Sequence, residues 1–131
     1  MDFTNKKILV TGAGRGLGKV IATQFADAGA QVAIHFNSSK KEAEQVVLEL
    51  KGEGHFSIQA DLKNQDSVKI LFDNVVERFG KIDVLINNAA VILYHPIAEV
   101  NYEEWQKAWN ETITVNLQAA ANLCFCVAQE M

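Results

Sequence analysis

Two cysteines, one proline and no long apolar run set the first limits on this sequence of 131 residues. The cysteines, Cys124 and Cys126, lie two apart in a segment of helical pattern. Residues two apart on a helix point in well-separated directions, which argues against a disulfide between them. With no histidine nearby, no metal site is expected either. No apolar stretch approaches the roughly 20 residues of a membrane span, and the polar start, Met1 to Lys7, lacks the pattern of a secretory signal. A cytoplasmic protein with no membrane partner is therefore expected. Basic residues are outnumbered, 12 against 16 acidic, giving a net charge of −4. Without a basic patch, no nucleic-acid partner is expected. Linkers, repeats and low-complexity segments are missing too, and 49% hydrophobic with 21% charged content suits one folded domain over 1–131.

What is present is a strict alternation of apolar runs. Lys7 to Thr11 reads as a buried strand, and Leu17, Val20, Ile21, Phe25 and Ala28 then recur at helical spacing until Gly29. Gln31 to Phe36 is a second strand, followed by a helix from about Lys40 to Lys51. His55 to Ala60 is a third strand. Asn64 can cap a helix whose stripe is Val68, Leu71, Phe72, Val75, Val76 and Phe79, closed by Gly80. Ile82 to Asn87 is a fourth strand, and two more helical stretches follow a loop containing Tyr94, His95 and Pro96. The last is expected to carry Ile113, Leu117, Ala120, Ala121, Cys124, Val127 and Ala128 on one side. Strands separated by helices pair in parallel with right-handed crossovers. The fold class is thus α/β, a Rossmann-type doubly wound sheet of four strands in the order 3-2-1-4.

The first strand-to-helix turn carries the most informative run, Thr11-Gly12-Ala13-Gly14-Arg15-Gly16-Leu17-Gly18. Glycines there permit a tight turn and let backbone N–H groups approach a pyrophosphate, whose charge is favoured by the positive end of the next helix. A dinucleotide ligand is expected. The spacing excludes two relatives of this turn: G-x-G-x-x-G from Gly12 would require glycine where Leu17 stands, and no G-x-x-x-x-G-K-[ST] occurs.

The pattern T-G-x-x-x-G-x-G does match, and with it the chain resembles the short-chain dehydrogenase/reductase family. The resemblance runs the length of the chain, through Asp61-Leu62 after the third strand, Asn87-Asn88-Ala89-Ala90 after the fourth and Asn116 in the last helix. It implies that Asp61 hydrogen-bonds an adenine, that Asn87 braces the central sheet and that Ala89 lines the cofactor cleft, with Leu62, Asn88 and Ala90 beside them. Ala90 stands where the family usually has glycine, narrowing the approach to the nicotinamide ribose. Asn116 is open to two readings: a water held in a proton relay by its backbone carbonyl, or a helical asparagine that satisfies neighbouring backbone. Val32 to Glu49 resemble the acyl-carrier-protein reductase and sugar dehydrogenase branches of the family most.

Charge argues for one cofactor. NAD sites place an acid about 20 positions past the glycines, where it would repel a 2′-phosphate. Positions 35–39 read His-Phe-Asn-Ser-Ser, with no acid. Arg15 in the turn, with Asn37, Ser38 and Lys40, could instead hold that phosphate. NADP(H) is expected over NAD(H).

By resemblance, the chemistry would interconvert a ketone and a secondary alcohol, and it requires a tyrosine four residues before a lysine. The only tyrosines, Tyr94 and Tyr102, are followed at that spacing by Ala98 and Gln106. Asn116 alone remains of the family's catalytic set, and the chain by itself is expected to be inactive. Three readings follow: a fragment of a reductase, a short NADP(H)-binding module, or an interaction protein that pairs with a missing half or a second copy through its last helix. The substrate, a carbonyl or alcohol compound, is not legible.

Overall fold

The computed structural model describes residues 1–130. Strands β1 (Lys7–Val10), β2 (Gln31–Phe36), β3 (Phe56–Gln59) and β4 (Val84–Ile86) alternate with helices α1 (Gly16–Asp27), α2 (Lys40–Glu49) and α3 (Gln65–Phe79). All strands are parallel, in the order β3-β2-β1-β4. β2 has the bounds its apolar run suggests, while β1, β3 and β4 are one to three residues shorter than theirs, the ends passing into the flanking loops.

Register explains the two cores. Ile8 and Val10 of β1, with Val32 and Ile34 of β2, face α1 and α2 and pack on Ala22, Ala26, Ala43 and Val46. Leu9 and Ala33 face the other way, onto α3 and the last helix. With helices on both faces, β1 and β2 read as near-continuous apolar runs. Leu9, Ile8 and Ile34 are fully buried. Each contributes about 1.5–3 kcal/mol by leaving water.

Helix ends follow their local chemistry. The Asn64 side chain accepts from the N–H groups of Asp66 and Ser67, and Gly80 closes α3 in the left-handed conformation. After the loop, α4 (Tyr102–Ile113) opens on a capping box between Asn101 and Glu104. A π-helical stretch, Thr114–Ala119, then joins α4 to α5 (Ala120–Glu130) without a break. The two expected helical stretches are therefore one long helix.

Its buried face corrects the sequence expectation. Val115, Ala119, Leu123 and Val127 enter the core. Of the expected stripe only Val127 is fully buried: Ala120 is half-buried, Ala121, Cys124 and Ala128 are exposed, and Ile113 and Leu117 are 39% and 63% exposed. This segment is apolar nearly all round, so a 3.6-residue period admits two stripes. The wider π turns favour the one spaced every four residues. Among the described residues, no helix is long and apolar enough to cross a membrane.

Candidate functional site

The carboxyl ends of β1 and β4 diverge at the point where the strand order reverses, and a cleft of about 420 Å³ opens there. Such a switch point is where open α/β sheets bind ligands. Gly12, Gly14, Arg15, Leu17, Gly18, Asn37, Ser38, Asp61, Leu62, Asn88, Ala89 and Ala90 all line the cleft. The walls also contain Val91, and His35, Phe36, Ser39, Lys63 and Val115, which the sequence did not single out for the site.

Thr11 and Gly16 are not in the cleft wall. Thr11 is 1% exposed, and its hydroxyl accepts from the N–H groups of Asn88 and Ala89, both at 3.0 Å. It acts one layer beneath the cleft, fastening the end of β1 to the loop after β4. Asn88 returns the bond, its side-chain amide donating to the carbonyls of Thr11 (2.9 Å) and Gly12 (3.1 Å). Asn88 therefore braces strand to strand, the role the resemblance gives Asn87. Asn87 itself faces the last helix, donating to the Ala120 carbonyl at 3.5 Å and lying 3.2 Å from Cys124 Sγ.

The glycines answer to this crowding. At Gly12, with φ of 64°, an added Cβ would lie 2.9 Å from Ala89 Cα. At Gly18 it would lie 2.5 Å from both Asn88 Nδ2 and the Gly12 carbonyl oxygen. These two positions exclude any side chain because helix, turn and loop touch there.

Arg15 is the N-cap residue of α1 and offers no side-chain cap, and Ser39 likewise leaves α2 without one. Contrast the capped starts of α3 and α4. An uncapped helix start leaves N–H groups for water or a ligand. Both uncapped starts open into the same cleft. Arg15 is exposed there, as are Asn37 and Ser38. The Asn37 carbonyl accepts from Gln59 Nε2, which ties the loop after β2 to β3.

On the third side, Asp61 Oδ1 accepts from the Lys63 N–H at 3.0 Å, shaping the turn after β3. The Lys63 ammonium pairs with Glu111 at 2.5 Å, and this hydrogen bond raises its pKa. Asn116 lies in the π-helical stretch and grips Val91 twice: Oδ1 accepts from its N–H (2.8 Å) and Nδ2 donates to its carbonyl (2.9 Å). Its side chain thus satisfies loop backbone, one of the two readings open for it, and it holds the cleft wall at Val91 in place.

His35 is the residue the sequence hid most completely. It is 2% exposed. Its Nδ1 accepts from the Gly12 N–H at 3.1 Å, and its Nε2 lies 3.0 Å from the Ala60 carbonyl. Its own carbonyl accepts from the Ala13 N–H. Burial holds its pKa below the ordinary 6.5, against the raising effect of the Ala60 bond.

Comparison with known proteins agrees with this architecture. A family model described as short chain dehydrogenase matches residues 6–131. The chain belongs to the short-chain dehydrogenase family. Among curated relatives of this family, it is 40% identical over 129 residues to a 3-oxoacyl-acyl-carrier-protein reductase, FabG, of Staphylococcus epidermidis, covering 97% of this chain and 51% of the relative. It is 38% identical over 111 residues to a hydroxynaphthalene reductase-like protein, Arp2, of Metarhizium robertsii, covering 83% and 42%. Among solved structures, a short chain dehydrogenase from Burkholderia cenocepacia in complex with NADP superposes with a TM-score of 0.89 at 31% identity, over 100% of this chain and 53% of that one. A blue fluorescent protein from a metagenomic library in complex with NADPH gives 0.88 at 30%, over 100% and 53%. The chain spans about half the length of the short-chain dehydrogenases it matches.

Proposed function

We propose that the cleft holds NADP(H), and that the chain is the nucleotide-binding half of a reductase interconverting a ketone and a secondary alcohol. The observation that carries this reading is the pair of uncapped helix starts, α1 and α2, opening into one cleft. A dinucleotide with a 2′-phosphate presents two separated anionic groups, and the N–H groups of two helix starts suit both. Gly12, Gly14 and Gly18 at the start of α1 would hold the pyrophosphate, and at Gly12 and Gly18 a side chain has no room beside the turn. Arg15, Asn37 and Ser38 would hold the 2′-phosphate, and no acid at the end of β2 would oppose it. Two NADP-bound relatives share the fold.

The remaining wall sorts by chemistry. Leu62 and the free oxygen of Asp61 receive the adenine, an apolar face with polar edges. Ala89 and Ala90 flank the nicotinamide ribose. Bound there, the nicotinamide supplies or accepts a hydride. Asn116 fixes Val91 through its side chain, which keeps that wall of the cleft from moving into the nicotinamide's space. The tyrosine–lysine pair that would move the proton is not among these 131 residues. Turnover by the chain alone is not expected. The name of the FabG relative, the more similar of the two curated relatives, favours a 3-oxoacyl compound as substrate of the whole protein.

Fluorescence titration tests the cofactor. NADPH binds more tightly than NADH, and Arg15→Ala weakens NADPH by about ten-fold or more, the worth of a charge-assisted bond, while leaving NADH nearly unchanged. Equal affinities for the two cofactors, or equal losses in the variant, would refute the preference. No binding of either at millimolar concentration would end the reading.

A further inference from the structure

A buried histidine at the floor of a nucleotide cleft is not required by packing, since an aliphatic side chain would fill the space between strands. His35 sits in the second-last position of β2, in register with Ile58 of β3, and joins two loops that no other side chain joins among the described residues. On one side is Gly12, whose N–H points to Nδ1. On the other is Ala60, the last residue before Asp61.

An N–H can only donate, so Nδ1 must carry a lone pair; a carbonyl can only accept, so Nε2 must carry the proton. These two partners admit one species, the neutral Nε2–H tautomer. A proton added at Nδ1 would set two N–H groups against each other at 3.1 Å. The ring is therefore matched to its surroundings only when uncharged.

We propose that His35 is a positioning residue for the nucleotide site: its neutral Nε2–H tautomer ties the glycine turn to the end of β3, and charging the ring releases the turn. The proposal rests on the reading of the cleft as an NADP(H) site. It adds a specific device to that reading, because the same ring sets the spacing between the pyrophosphate turn and the adenine wall at Asp61 and Leu62. The charged side chains that share the cleft wall with the ring are Arg15 on the turn and Asp61 and Lys63 after β3. None of them bonds to the ring, whose partners are both backbone. Burial without a charged partner favours the neutral form, in the same direction.

Two substitutions divide the ring's two bonds. Asn places an acceptor near the position of Nδ1 and cannot be charged, and Gln places a donor near Nε2 without an acceptor for Gly12. Dissociation constants for NADPH are measured with the wild type, His35→Asn and His35→Gln from about pH 7.5 to about pH 5.5, with circular dichroism on each sample. The phosphate's own titration, second pKa about 6, is common to all three and cancels in ratios. Expected are near wild-type affinity for Asn at the upper pH, about ten-fold weaker binding for Gln, and an acid-induced loss in the wild type about ten-fold steeper than in Asn. Parallel profiles for wild type and Asn, or equal losses in Asn and Gln, would overturn the proposal. A cofactor-free measurement separates it from the parent reading: imidazole nitrogen NMR of the wild type shows the Nε2–H tautomer persisting below pH 6.5, with the Gly12 amide shifting only as the ring charges. The Nδ1–H tautomer, or a ring already charged at neutral pH, would overturn the device whether or not NADPH binds. Failure of NADPH binding with the Nε2–H tautomer intact would fall on the cofactor assignment and leave the tether standing.

Discussion

Replacing Gly18 by alanine tests the close contact of turn, helix and loop most directly. The new Cβ would meet Asn88 Nδ2 and the Gly12 carbonyl oxygen, each at 2.5 Å, and Ala13 Cα at 2.9 Å. Two of these three are backbone and cannot rotate away. Overpacking of this kind costs about 1–3 kcal/mol. Displacing the Asn88 amide also weakens its bonds to Thr11 and Gly12, worth about 1 kcal/mol each. Alanine's better helix propensity returns about 1 kcal/mol. A net loss of about 2–3 kcal/mol follows, measured as a lower urea midpoint at unchanged slope. Gly16→Ala is the control: its Cβ meets nothing within 4 Å, so only the strain of φ at 55° remains, about 1 kcal/mol. Adding Asn88→Ala to Gly18→Ala relieves one contact of three and restores only part of the loss. A Gly18→Ala chain as stable as the wild type would show that helix and loop do not touch as described.

Three further outcomes are expected. Thr11→Val keeps the side chain's shape but leaves the N–H groups of Asn88 and Ala89 without their acceptor, lowering stability by about 2–4 kcal/mol in urea unfolding; a loss under about 0.5 kcal/mol would contradict the latch. Asn64→Ala removes the cap of α3 and lowers stability by about 1 kcal/mol in thermal melts, and an unchanged melting temperature would show the cap to be idle. Because the folded pKa of His35 lies below the ordinary 6.5, the unfolded chain binds more protons than the native one just below that pH. The contribution is thus fully present above about pH 6.5 and is lost as pH falls toward the folded pKa. Urea unfolding across this range should show a decline in the wild type that His35→Asn lacks, and identical slopes would refute it.

Much of this fold is legible in the sequence because its punctuation is local. Asn64 and Gly80 bracket α3 by interactions within three or four residues of themselves, and β2 is written as a near-continuous apolar run. The glycine pattern likewise marks one wall of the cleft. Other parts depend on distance. His35 reads as one polar residue in a core strand, and its partners lie 23 and 25 positions away in backbone groups that have no sequence signature. Thr11 belongs to the motif, yet its partners after β4 are 77 and 78 residues on, so its place beneath the cleft emerges only with the sheet. The last helix misled for another reason: Ile113, Leu117, Ala121, Cys124 and Ala128 form a stripe at helical spacing as plausible as the buried one, yet Leu117 is 63% exposed.

The Thr11–Asn88 latch has a consequence in time as well as space. It spans nearly three-fifths of the chain, and closing so long a loop is among the slowest acts of folding for a chain this size. Until β4 docks beside β1, the glycine turn lacks the wall that Asn88 and Ala89 provide at Gly12. Nucleotide, in the function proposed above, then meets a receptor only in chains whose β4 has docked, and its binding energy falls on that form. The ligand thereby acts as an inspector of assembly, retaining chains in which β4 has found its place beside β1.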